Sequence, residues 1–286
     1  MKRINLLKAA VVIAVSMLSI VSTAMAAPTR PNDLADQTNA SWLIATEQLL
    51  SALPRSVVER DGGSALLMSF QPQARMNGVF GISRQPDLDQ MSKFAAQAQT
   101  YGVSSVIRVR GHGDPEVQSL AARYGMTQAS QRAVSAVTQG AVKLPGTTVP
   151  GAVVKRVDGS YAQTFLDVTL AATGVPVEFA RDLVSREVLN LPTASPYVVE
   201  VDGKAVAIAL GIRGGDMVAL YFLFERPEAR GIGYNMMVTE QLLRDSFSHG
   251  VKGAFFASDP ENDVLISTFG FRAVDTWTTY SKAAGL

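Results

Sequence analysis

Between residues 220 and 243 the chain reads LYFLFERPEARGIGYNMMVTEQLL, and here its residue types could do chemistry. An apolar strand-like run ends at Glu225, a Pro-containing turn follows, and Arg230, Gly231, Ile232, Gly233, Tyr234 and Asn235 lead into an amphipathic helical pattern. Glycines at a helix start let backbone N–H groups close around an anion, and the helix dipole favours negative charge there. Arg230 can add a charge-assisted contact. A phosphate or pyrophosphate is the natural guest. A bare Gly-x-Gly also serves as an ordinary tight connection, and no third glycine follows at dinucleotide-binding spacing. Two carboxylates are candidate bases. Glu225 closes the strand, and Asp259 follows the next strand-like run, in an Asp-Pro-Glu-Asn stretch that equally suits a helix cap.

Other reactive groups are few. Cysteine is absent, which removes disulfides, thiolate nucleophiles and every Cys-based metal site. The 2 histidines, His112 and His249, cannot build a three-histidine site, so no metal centre is expected. His112 sits in a Gly-His-Gly-Asp turn, and His249 ends a helix, where a cation is favoured electrostatically. Tyr221, Phe222 and Phe224 read most simply as core. Tyr280 could act as an acid only if the last strand folds back over the site. With 26 Lys+Arg against 25 Asp+Glu and no basic run beyond the first ten residues, a nucleic-acid groove is not expected.

The elements that must position these groups alternate in an α/β rhythm. In the first half, residues 77–83 and 104–110 read as strands, and 87–101 and 114–124 as helices. Residues 141–151 (AVKLPGTTVPG) have no helical period and mark a domain boundary. Beyond it, 152–157 reads as a strand, 161–173 and 177–189 as helices, and 197–201 with 205–211 as a hairpin turning at Asp202-Gly203. A third strand (217–224) precedes the glycine loop, then come a helix (239–249), a strand (253–257) and a short helix (262–269). The halves also align with each other. Gly102-Val103 lies over Gly250-Val251 at an offset of 148, and LAARYGM (120–126) lies over LISTFGF (265–271) at an offset of 145.

With these residues in place, the sequence resembles the GNAT acyltransferases, whose signature is Arg/Gln-x-x-Gly-x-Gly/Ala after a strand. PEARGIGYN matches at Arg230 and Gly233, with Gly231 in the usual extra place. The element order from residue 152 to 280 is similar to the whole family fold, an α/β mixed sheet. The first half looks like the back portion of a second, degenerate unit, so the chain reads as a tandem of a partial and a complete unit. The resemblance implies acetyl-CoA as cosubstrate, its pyrophosphate on the loop 230–235, and its pantetheine arm and thioester against main chain near Leu223 and Glu225. It also implies an amine acceptor, either a small molecule or a peptide. Two positions depart from the family. Asn235 stands where a small residue is usual, and either donates a hydrogen bond or obstructs the site. Ile266 stands where the family usually has a Tyr that protonates the leaving thiolate, and it can donate nothing. The first half shows SRQPDLDQ (83–90) in place of a glycine loop, so no second catalytic site is expected there.

At the start of the chain, Lys2, Arg3 and Lys8 precede a thirteen-residue apolar run and Ala24-Met25-Ala26, the pattern of a cleaved signal peptide over residues 1–26. The run is short for a membrane span, which needs about 20 residues, so cleavage is read in preference to the rival, an uncleaved N-terminal anchor. Export to the periplasm or the medium is therefore expected, with no membrane span after cleavage. The remaining organisation is a flexible lead-in over 27–40, an N-terminal domain over 41–146 and an acyltransferase domain over 147–286. Two functional readings stay open: an acyl-CoA-dependent N-acetyltransferase, and an exported non-catalytic module of the same fold that binds a ligand or a protein.

Overall fold

The computed structural model describes residues 31–257 and 267–282. The first element is α1 (Pro31–Ser51), whose proline occupies the first helical position, where the missing N–H costs nothing. The flexible lead-in is thus corrected from Pro31 onward. Leu34, Ala35, Thr38 and Asn39 recur at helical spacing and are buried, because α1 lies across the second-half strands Lys204–Gly214 and Met217–Glu225. Next come β1 (Val57–Asp61) and β2 (Ser64–Met68), a hairpin turned by Gly62 and Gly63, both at positive φ. Then follow β3 (Asn77–Gly81), α2 (Leu88–Thr100), β4 (Val106–Arg110), α3 (Pro115–Arg123) and β5 (Thr127–Thr138).

The second half contains β6 (Ala152–Arg156), α4 (Ala162–Thr173), a one-turn α5 (Arg186–Leu189), β7 (Ala194–Val201), β8 (Lys204–Gly214), β9 (Met217–Glu225), α6 (Tyr234–Ser248), β10 (Gly253–Ala257) and β11 (Arg272–Ser281). A helical turn over 267–269 precedes β11. The helix expected over 177–189 is instead two short 3-10 turns and α5, because the chain leaves helical geometry at Ser185, whose extended backbone starts α5 and whose hydroxyl caps it. The helix expected from residue 239 begins five residues earlier, at Tyr234.

All strands join one sheet in the order β1-β2-β3-β4-β11-β5-β10-β9-β8-β7-β6. The last strands of the two halves are exchanged. β5 runs antiparallel to β10, and β11 runs antiparallel to β4, with β5 and β11 paired at the centre. Arg132 pairs with Trp277, its counterpart at the 145-residue offset, while Gln131 pairs with Thr278 and Ala133 with Thr276. Alternation along the strands gives two buried faces. Val198, Ile208 and Leu210 pack with α1, α4 and α5, whereas Val199, Ala207 and Ala209 pack with α6. In the first half, Leu66, Met68 and Val79 pack with α2 and α3.

The boundary segment 141–151 crosses the α6 face as an anchored strap. Lys143 donates its N–H to the Phe269 carbonyl, and the Glu240 carboxylate accepts the N–H groups of Gly146 and Thr147 at 2.9–3.0 Å. Arg244 adds a charged hydrogen bond to the same carboxylate, at 2.6 Å. Burial disfavours ionised Glu240, but these donors outweigh it and hold the group below the ordinary glutamate range.

Candidate functional site

The site is made where β9 leaves β10. The two strands pair in parallel only over Met217–Ala219 and Gly253–Phe255. Beyond that, the β8–β9 register slips between Tyr221 and Phe224, and Phe222 takes a left-handed φ of 50°. A bulge of this kind bends and twists the strand, so a wedge opens with Tyr221, Phe222 and Phe224 on one side and Ala257 on the other.

The loop after β9 is fixed at both ends. Arg226 donates from its backbone to Val206 and from Nε to the Ala205 carbonyl, at 2.9 and 2.8 Å. Gly233, at φ 108°, is the N-cap of α6 and supplies no side-chain cap. That conformation favours glycine, and no N-cap side chain takes up the first-turn donors of this 15-residue helix. Gly231 is at positive φ with open space around its Cα, and Ile232 is exposed at the loop tip. Tyr234 is buried against the α6-side core.

Three expected site residues already interact with one another. Asn235 donates its backbone N–H to a Glu225 carboxylate oxygen at 3.3 Å and its Nδ2 to the Leu223 carbonyl at 3.4 Å. Its Oδ1 is buried without a hydrogen-bond partner. Arg230 reaches past the loop to the Ala172 carbonyl near the end of α4, at 2.9 Å, and remains largely exposed. Asp259 and Ile266 lie outside the described residues. Tyr280 belongs elsewhere: it is buried on the opposite face, beside Gly113 and the α2–α3 core. His112 and His249 are exposed, and His249 contacts the Asp245 carbonyl at the end of α6.

The first half has no corresponding site. β3 and β4 stay paired from Gly78–Val106 to Gly81–Val109, so no wedge forms. The N-terminus of α2 is filled by its own Asp87 carboxylate, which accepts from Asp89 and Gln90. An anion is already built in there.

The wedge leads into a cavity of about 320 Å³ between the sheet and the layer of α1 and α4. Tyr221, Phe222 and Phe224 line it and so are more than core filling. The Tyr221 hydroxyl lies 3.5 Å from Thr46 Oγ1, and burial raises its pKa, keeping it protonated. Arg108 of β4 lines the same cavity, with its pKa lowered to about 10 by burial and by the neighbouring Arg132 and Arg75. Sequence reasoning missed it. The available signal was SSVIRVR itself, where Arg108 and Arg110 share one strand face; Arg110 pairs with Asp36 and Asp275, but Arg108 makes no ion pair among the described residues. Among those residues there is no group of three or more potential metal ligands, and no helix is long and apolar enough to cross a membrane.

Residues 151–257 match the family model described as an acetyltransferase (GNAT) domain. Among solved structures, a GCN5-related N-acetyltransferase from Kribbella flavida is similar at 15% identity, with a TM-score of 0.65 over 86% of this chain and 96% of that one. A GCN5-related N-acetyltransferase from Sphaerobacter thermophilus matches at 12% identity and TM-score 0.54, over 80% of this chain and 83% of the other. A tandem GNAT protein from the clavulanic acid biosynthesis pathway matches at 15% identity and TM-score 0.53, over 88% and 96% of the two chains. At these identities the likeness is one of fold. No curated protein matches the chain in sequence.

Proposed function

We propose that this chain, whose residues 151–257 match a GNAT acetyltransferase family model, is an N-acetyltransferase that moves an acetyl group from acetyl-CoA to an amine. One observation carries the reading: a bulged strand splays from its parallel neighbour and runs straight into a helix start capped by glycine, with no side-chain cap. The residues fit that cosubstrate. The first-turn amides of α6 and the Arg230–Gly233 loop would hold a pyrophosphate, and main chain along Leu223–Glu225 would hold the pantetheine arm. The thioester supplies the activated acetyl group.

The chain's own groups handle the protons. Glu225, at the strand end beside α6, takes a proton from the attacking amine directly or through water as the C–N bond forms. Tyr221, kept protonated by burial, gives a proton to the sulfur as the C–S bond breaks. Thiol release should therefore require both an amine and these two residues. Glu225→Gln and Tyr221→Phe should each lower kcat about 10²-fold or more with little change in KM for acetyl-CoA. Full turnover by both variants would remove the assignment.

The second reading, an exported binding module, is favoured by one feature. Asn235 already occupies the Leu223 carbonyl and faces Glu225, so the loop is partly satisfied from within. Export is proposed in either case, on the basic–apolar–Ala24-Met25-Ala26 leader. Mass spectrometry of protein from its host should find Ala27 as the first residue; uncut protein would contradict this.

A further inference from the structure

The geometry points to an acceptor carrying a carboxylate on an apolar body, its anion held by Arg108 in the cavity beside the wedge. This rests on the acyl-transfer reading only for what the ligand is used for; the anion site stands on its own observations. Arg108 sits near the centre of the sheet, where the exchange of β5 and β11 brings both halves together. Its Nε donates to Thr279 Oγ1 at 3.1 Å, and its guanidinium carbon lies 5.3 and 5.4 Å from the ring centroids of Phe80 and Trp277. The fork is thus fixed by one hydrogen bond and by aromatic faces. No carboxylate among the described residues pairs with it. A buried guanidinium normally has a charged partner, because desolvating it alone is costly. A ligand carboxylate would accept a bidentate pair there, the geometry for which Arg is suited.

Two further features fit the same guest. Arg75 and Arg132 line the cavity as well, and their charges act on Arg108. Thr169, buried in α4 and also lining the cavity, has a hydroxyl with no hydrogen-bond partner. The rest of the wall is largely apolar, aliphatic and aromatic together, and about 320 Å³ suits a small molecule. An amine on such a ligand would approach the thioester through the wedge, which makes an amino-acid-like acceptor the fitting class.

The test is calorimetry on the full chain with two probes of one shape, 3-phenylpropanoate and 3-phenylpropanamide. The wild type should bind the carboxylate about tenfold or more tightly than the amide. Arg108→Gln should erase that preference and leave amide affinity within about threefold. Equal affinity of the wild type for the two probes, absence of binding by both, or a preference surviving in a folded Arg108→Gln protein would overturn the inference. The wild-type comparison decides even if the variant does not fold. Acetyl-CoA is titrated separately. Carboxylate preference without acetyl-CoA affinity would remove the acyl-transfer reading and leave the anion site; acetyl-CoA affinity without the preference would do the reverse.

Discussion

Asn235 is the residue on which the loop's behaviour turns. Its Nδ2 holds the Leu223 carbonyl, and its Oδ1 is buried and unpaired. Both would be released by Asn235→Gly, which costs up to about 1 kcal/mol of helix stability. Because it frees an acceptor worth about 0.5–1.5 kcal/mol to an incoming amide, acetyl-CoA affinity should rise about threefold to tenfold in calorimetry. Weaker binding would show that Asn235 contributes a contact instead. Arg230, Gly233 and Glu225 could be picked out from sequence because the motif is contiguous and each residue's role follows from its place relative to one strand and one helix. Tyr221 and Arg108 could not be joined in the same way. Their meeting depends on strand order, and both sit in strands whose alternation reads as simple burial.

At the scale of elements, the strap over α6 is the testable feature. Its folded-state Glu240 pKa lies below the ordinary value of 4.5, so the clamp contributes stability above that pH and loses it as pH falls through the folded-state pKa. Glu240→Gln should destabilise the protein by about 1–3 kcal/mol near neutrality. Its stability curve should begin to approach the wild type as pH falls below 4.5 and meet it below the folded-state pKa, as read by denaturant unfolding. The strap should also resist protease in the wild type and be cut faster in the variant; immediate cleavage of the wild type would contradict the anchored geometry. The Pro and Gly residues of this segment announced a connection, but they carried no information about Glu240, a residue on a different element. The same limit explains α1. Pro31, Asn32 and Asp33 resemble a polar lead-in, yet they open a helix that the sheet of the second half stabilises by burying Leu34 and Ala35.

For the whole molecule, the exchange of β5 and β11 governs what can be separated. A chain beginning at residue 147 would lose β5, leaving β10 without its antiparallel partner and β11 without either neighbour. Such a fragment should aggregate, through exposed strand edges and uncovered apolar surface. Co-expression with residues 1–146 should restore a soluble complex; a soluble, monomeric C-terminal fragment would contradict the exchange. The offsets of 148 and 145 align the two halves at glycines that end helices. They could not reveal which half each last strand joins, since β5 and β11 suit either position by pattern. The central claim is that the glycine-capped start of α6 holds the phosphates of an acyl-CoA. Calorimetry of the full chain with acetyl-CoA, beside Gly233→Asp, tests it most directly. The added side chain would start toward Val149 and Thr147 beside the α6 start, and its carboxylate would repel a phosphate held there by several kcal/mol, on the order of 10²-fold or more in affinity. Saturable wild-type binding that vanishes in a folded Gly233→Asp protein is the predicted result, and wild-type protein with no acetyl-CoA affinity, or a variant that binds as well, would contradict it.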